Sequence, residues 1–140
     1  MLKLKEINYN GYLISNNKNL LPVDMIYDFL SESYWAKDRP KKTIKKSIKN
    51  SDCFGIYIGN QQVGFARIIT DYSVIYWLCD VFIDEKHRGI GLGKKLVDFI
   101  VNNDELKNLT GILATRDAHM LYEKYGFKLD RESFMGRKRS

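Results

Sequence analysis

Asp80-Val81-Phe82-Ile83-Asp84-Glu85-Lys86-His87-Arg88-Gly89-Ile90-Gly91-Leu92-Gly93-Lys94-Lys95-Leu96-Val97 reads as an apolar strand, a short charged loop, three glycines at alternate positions and an amphipathic helix. That order sets backbone N–H groups and a helix N-terminus beside the end of a strand. Such a turn is suited to a phosphate anion, because the first N–H groups of a helix lack internal partners and its dipole attracts negative charge. Two common phosphate loops are excluded by spacing. A P-loop needs glycine, four residues, then Gly-Lys-Ser/Thr. Here Arg88 holds the first place and Lys95 the last. The dinucleotide fingerprint needs a third glycine three places after the second, where Lys94 stands.

What remains, Arg88-Gly89-x-Gly91-x-Gly93 after a strand, resembles the acetyl-CoA pyrophosphate loop of the GCN5-related N-acetyltransferase (GNAT) superfamily. Leu121-Tyr122-Glu123-Lys124-Tyr125-Gly126-Phe127 resembles its late helix, which ends at a glycine and runs into a strand. The strand-like Gly111-Ile112-Leu113-Ala114 lies between the two segments. The resemblance is close from Asp80 to Phe127. Elsewhere it rests on length and element order.

The chain has 140 residues and a formal net charge of +6. That length suits one domain, residues 1–140, with a single core. Met1 to Ser15 lacks the apolar run of a signal peptide, and no segment approaches the roughly 20 apolar residues of a membrane span. A cytoplasmic protein without membrane attachment is expected. Cys53 and Cys79, the two cysteines, sit in apolar strand-like runs and read as buried free thiols. No Cys/His spacing suggests a metal. The positive charge comes partly from Lys41, Lys42, Lys45, Lys46 and Lys49, which read as one solvated helix face, and an anionic cofactor accounts for some excess near its site. No nucleic-acid-reading motif is visible, so no nucleic-acid partner is expected.

Along the chain, Tyr9–Ser15 reads as a strand. Leu21–Ser33 and Lys41–Asn50 read as helices with apolar residues on one face. Cys53–Ile58 and Gln62–Thr70 form a hairpin, and Val74–Ile83 is a nearly continuous apolar run, as in a central strand covered on both faces. A helix from Gly91 to Asn103, a strand at Gly111–Ala114, a helix at Ala118–Tyr125 and strands at Phe127–Leu129 and Ser133–Arg137 complete the order. The expectation is an α/β fold: a mixed, mostly antiparallel sheet of six to seven strands flanked by about four helices, the acyl-CoA N-acyltransferase fold that the resemblance implies.

The resemblance also implies roles. Arg88, Gly89, Ile90, Gly91, Leu92, Gly93 and Lys94 would hold the pyrophosphate. A Cβ at the glycines would block its approach. Val81, Phe82 and Ile83 would offer strand backbone to the pantetheine arm, with an N–H near Val81 or Phe82 facing the thioester oxygen. Tyr122 matches the superfamily tyrosine near the cofactor sulfur, a general acid for the departing thiolate. Asp80, an acidic residue in an apolar strand, is a candidate base. A structural hydrogen bond at Asp80, with a water chain as the base, stands beside that reading. Asp117 stands where asparagine is usual, an N-cap whose cofactor contact is open. His119 reads as a relay or a structural residue. Tyr34, Trp35 and Arg39 would border the acceptor pocket, Arg39 suiting an anionic substrate, although Trp35 suits a core equally.

The expected activity is direct transfer of acetyl from acetyl-CoA to a primary amine on a small molecule or protein, without a metal. A homodimer is compatible with the resemblance. Two rivals remain: a CoA-holding sensor or partner module without turnover, and a basic nucleic-acid binder with steeply salt-dependent affinity.

Overall fold

A computed structural model describes residues 1–138. Six strands form one sheet: β1 (Glu6–Tyr9), β2 (Tyr12–Ser15), β3 (Asp52–Ile58), β4 (Gln61–Thr70), β5 (Ile75–Ile83) and β6 (Thr110–Leu113), side by side in chain order. Neighbours from β1 to β5 run antiparallel, and β6 joins β5 in parallel. The helices are α1 (Val23–Ser31), α2 (Lys41–Lys49), α3 (Leu92–Val101) and α4 (His119–Glu123). Together these are the mixed, mostly antiparallel sheet and the four helices read from the sequence.

Alternation along the strands feeds two apolar clusters. On one face Phe54, Ala66, Ile68 and Leu78 pack with Leu96, Val97 and Ile100 of α3. On the other, Cys53 and Phe65 pack with Ile26 and Leu30 of α1 and Ile44 and Ile48 of α2. The lysines of α2 line a shallow outer surface.

Three local readings are corrected. The first strand is a hairpin, β1 and β2, with Tyr9 opposite Tyr12. Asn10 and Gly11 between them have φ of 48° and 84°, the left-handed pair that a two-residue hairpin turn requires. The strands expected at Phe127–Leu129 and Ser133–Arg137 do not form. The Asp130 carboxylate instead closes a turn by accepting from the N–H groups of Glu132 and Ser133. Phe134 stacks on Trp77 with ring centres 6.1 Å apart. Asp117 does not cap α4, whose N-cap is Ala118 without a side-chain bond. Thr115 Oγ1 accepts the Ala118 N–H at 3.1 Å. The end of α4 follows the sequence. Phe127 N–H bonds to the Tyr122 carbonyl and Gly126 N–H to that of Glu123, with Gly126 at φ 89°, a glycine C-cap of the Schellman type.

β5 departs most from the reading of a continuous run. Phe65 faces Phe82 and Arg67 faces Cys79, so one extra residue is inserted in β5. That residue is Asp80, with φ of 54°. The bulge inverts the facing of the strand. Leu78, Val81 and Ile83 all lie against the α3-side cluster, whereas Phe82 stacks on Phe29 of α1 at 4.9 Å.

Candidate active site

β5 and β6 pair only from Ile75↔Thr110 to Leu78↔Leu113. Beyond that point the pairing ends, and among the described residues Cys79 to Ile83 have no paired strand on that edge. A cleft of about 510 Å³ opens there. Its floor is Val81, Phe82 and Ile83. One wall is the glycine turn with Arg88, Gly89, Gly91, Leu92 and Gly93, and the other is Asp117, Ala118, Leu121 and Tyr122. Tyr34 and Trp35 border it from the α1–α2 link. Residues that were far apart in the sequence reading are therefore gathered at one opening. Ile90, Lys94, Asp80 and Arg39 do not line it. Glu32, Ser33 and His87 line it as well. Glu32 and Ser33 carry no pattern in the sequence, since only the fold brings them to the opening, whereas His87 directly precedes Arg88 in the stretch read as the anion turn.

The glycine turn has the form an anion needs. Gly89 and Gly91 have φ of 83° and 87°, which side chains with a Cβ rarely adopt. Gly91 is the N-cap of α3, and Tyr9 Oη donates to the Ile90 carbonyl at 3.3 Å. Among the described residues the N–H groups of residues 89 to 94 find no protein acceptor. A Cβ on Gly93 would meet nothing closer than Leu121 Cδ2 at 4.0 Å, so packing within the chain does not demand glycine there. The open N–H groups and the space kept by missing side chains fit a pyrophosphate. Lys94 lies against Lys124, whose pKa is pushed down by that contact and then by the Lys94 charge. Two adjacent ammonium groups suit further anionic groups. Arg88 is exposed and folds its side chain back along the end of β5. Its Nε donates to the Ile83 carbonyl at 2.9 Å and its guanidinium lies over the Phe82 ring.

Tyr122 is 7% exposed. Its hydroxyl has no partner among the described residues and belongs to the cleft wall. Burial, and then the charges of Asp117 and Tyr34, push its phenol up to about 12. Tyr125, by contrast, is tied down, its hydroxyl donating to the Lys94 carbonyl at 2.9 Å.

Asp80 has three hydrogen-bond donors around its carboxylate. Its side chain is 2% exposed. Oδ2 accepts from Arg39 Nη1 and from Arg67 Nε, each at 2.9 Å. Oδ1 accepts from the Trp35 indole N–H at 3.2 Å. Arg39 is thereby engaged inside the protein rather than offered to a ligand. Trp35 is 41% exposed, which removes it from the core and sets it on the cleft wall. Tyr34 accepts the Arg116 N–H at 3.1 Å and lies 3.7 Å beneath the Arg116 guanidinium. Arg67 was missed in the sequence. The signal was an arginine isolated in the apolar strand beside the one that carries an isolated aspartate.

Cys53 and Cys79 are free thiols. Burial pushes them up to about 12 and about 11. Among the described residues no group of three or more His, Cys, Asp or Glu is arranged to hold a metal, and no helix is long and apolar enough to cross a membrane.

Residues 49–129 match the family model for the acetyltransferase (GNAT) domain. A Gibberella zeae chain named as an acetyltransferase is 30% identical over 86% of this chain and 81% of its own. A crystal structure of a GNAT-family chain from Xanthomonas campestris superposes with a TM-score of 0.88 at 38% identity, covering 94% of this chain and 96% of that one. A GNAT acetyltransferase from Elizabethkingia anophelis, solved with acetyl-CoA bound, shares the fold at 18% identity and a TM-score of 0.67, over 87% of this chain and 79% of that one.

Proposed function

Because the chain belongs to the GNAT acetyltransferases, we propose that it moves acetyl from acetyl-CoA to a primary amine by direct attack within the β5–β6 opening. The observation that carries this reading is the coincidence of three features at one cleft. These are strand backbone freed beyond Leu78↔Leu113, unpartnered N–H groups at residues 89 to 94, and a buried phenol with a free hydroxyl.

In this reading the N–H groups of residues 89 to 94 and the N-terminus of α3 hold the pyrophosphate, with Lys94 adding charge. The freed backbone of Val81, Phe82 and Ile83 aligns the pantetheine arm. A backbone N–H at Val81 or Phe82 meets the negative charge that develops on the thioester oxygen as the amine attacks, and a preformed donor there lowers the barrier. Tyr122 donates its proton to the departing thiolate. Its raised pKa keeps that proton in place at neutral pH. Asp117, on the wall opposite the glycine turn, keeps its side chain free for the cofactor or the acceptor. With Asp80 held by two guanidinium groups and an indole N–H, proton removal from the amine falls to water in the cleft. Tyr34 and Trp35 form the acceptor side. The acceptor is a small-molecule or protein amine and the setting cytoplasmic. A homodimer remains compatible.

Calorimetric titration with acetyl-CoA, followed by thiol release with an amine panel, tests the reading. The panel holds an amino acid, a polyamine, an amino sugar and a lysine-containing peptide. Micromolar one-to-one binding and amine-dependent thiol release support it. Binding without release from any amine class would leave a CoA-holding module. No binding in a folded sample would remove the cofactor assignment.

A further inference from the structure

The α1–α2 link borders the cleft and is fastened at two places. Tyr34 is held by Arg116 on the loop before α4. Trp35 and Arg39 are held by Asp80 on β5. Asp80 is also the residue that makes the β5 bulge. It sits at φ 54°, a conformation that costs a residue with a side chain free energy unless surrounding bonds fix it. Arg67, from the neighbouring strand β4, fastens it from the other side and donates on to Ser51 Oγ at 3.0 Å. One carboxylate on β5 therefore meets groups from two other parts of the chain, β4 and the link that carries the cleft's aromatic wall.

We propose that Asp80 is a positioning residue which locks the β5 bulge and the Trp35 wall into one unit, so that a single carboxylate sets the floor of the acetyl site and the side from which the amine arrives. The proposal rests on the acetyltransferase reading of the cleft. It assigns Arg39 and Arg67 to the lock, and Trp35 to acceptor recognition through its fixed, half-exposed ring. Removing the charge of Asp80 loosens Trp35 while the glycine turn, on the far side of β5's end, still holds the cofactor. The predicted signature is a split, with acceptor affinity and turnover falling and acetyl-CoA affinity kept.

Two substitutions separate the lock from the backbone. Asparagine and glycine both accept a positive φ, so Asp80→Asn and Asp80→Gly keep the bulge available and remove the charge. Trp35→Phe identifies which of the two indole N–H signals belongs to Trp35 by nuclear magnetic resonance. In the wild type that signal is slow to exchange with solvent. In both variants it becomes fast, acetyl-CoA affinity by calorimetry stays within about threefold, and KM for the best amine of the panel rises about tenfold or more, the scale of a lost charged hydrogen bond. Arg39→Lys, on a partly exposed residue, recovers part of that loss relative to Arg39→Ala. The acid limb of the pH–rate profile stays where it is. An unchanged Trp35 signal with unchanged KM would overturn the lock. A moved acid limb in Asp80→Asn would overturn it in favour of a catalytic base. The indole measurement needs neither cofactor nor acceptor, so it reads the lock even if the wild type acetylates nothing.

Discussion

Leu78 and Leu113 are the last residues to face each other across β5 and β6, and the floor of the cleft begins at Val81, three residues further along β5. Among the described residues, backbone beyond Leu78 on β5 has no paired strand on this edge, and unpaired N–H and C=O groups are costly to bury without a partner. Acetyl-CoA supplies the missing edge in the proposed reading. Hydrogen exchange at residues 79–83 and 89–94 is therefore expected to slow on adding acetyl-CoA, with β2 to β4 unaffected. At a concentration of about 100 times Kd the melting temperature rises by roughly 5–10 °C. Protection confined to the lysine face of α2 would contradict the placement.

Tyr122 gives a pH prediction with a definite sign. Its phenol is raised to about 12, chiefly by burial, so the neutral form is favoured in the folded protein. That preference stabilises the fold below the unfolded phenol value of about 10 and is lost as pH rises from there through about 12. Tyr122→Phe is expected to lower turnover more than about tenfold with little change in acetyl-CoA affinity, and to remove part of the alkaline loss of stability seen by thermal melting above pH 10. Turnover equal to wild type would take Tyr122 out of the chemistry.

Much of this site was legible because its parts are local. The glycine turn, the strand before it and the helix after it are consecutive, and their spacing alone excluded two other phosphate loops. The glycine that ends α4 was read the same way. Asp80 was different. Its isolation in an apolar strand marked it, but its partners stand at Trp35, Arg39 and Arg67, on other elements, and the bulge that turns it toward them leaves no trace in a uniformly apolar run. The β1–β2 hairpin was overlooked although Asn10-Gly11 is a strong turn signal, because the strands it joins are only four residues each. The C-terminal strands were expected at Phe127–Leu129 and Ser133–Arg137. Asp130 spends the backbone donors between them on a turn, and Phe134 finds its apolar surface on Trp77 instead.

The cysteines predict the order of the chemistry. With Cys79 at about 11 and Cys53 at about 12, roughly one Cys79 thiol in a thousand is ionised at pH 8, and fewer at Cys53. Neither is a ready nucleophile. Intact-mass measurement after incubation with acetyl-CoA alone is expected to show no acetylated protein, and initial rates should give intersecting rather than parallel lines. Iodoacetamide at pH 8 should label the folded protein far more slowly than the unfolded one. A stable acetyl adduct on either cysteine would replace direct transfer with a two-step route.

Gly93 separates a ligand's demand from the fold's demand. Gly91 is fixed by conformation, since its φ is 87° and a Cβ would come within 3.1 Å of Tyr9 Oη. Replacing it harms folding and binding together and distinguishes nothing. Gly93 lies in the first turn of α3, shows no positive φ, and would place a Cβ 4.0 Å from its nearest neighbour. Alanine is the better helix residue there by roughly 0.5–1 kcal/mol. Gly93→Ala should therefore raise the melting temperature of the ligand-free protein by roughly 2–4 °C. The same methyl group would stand where the pyrophosphate must approach the backbone, so acetyl-CoA affinity should fall about tenfold or more. The two effects have opposite signs, and a destabilised, loosely folded variant cannot imitate that pair. A variant that is more stable and binds acetyl-CoA as well as the wild type would mean that the glycine turn is not the phosphate cradle.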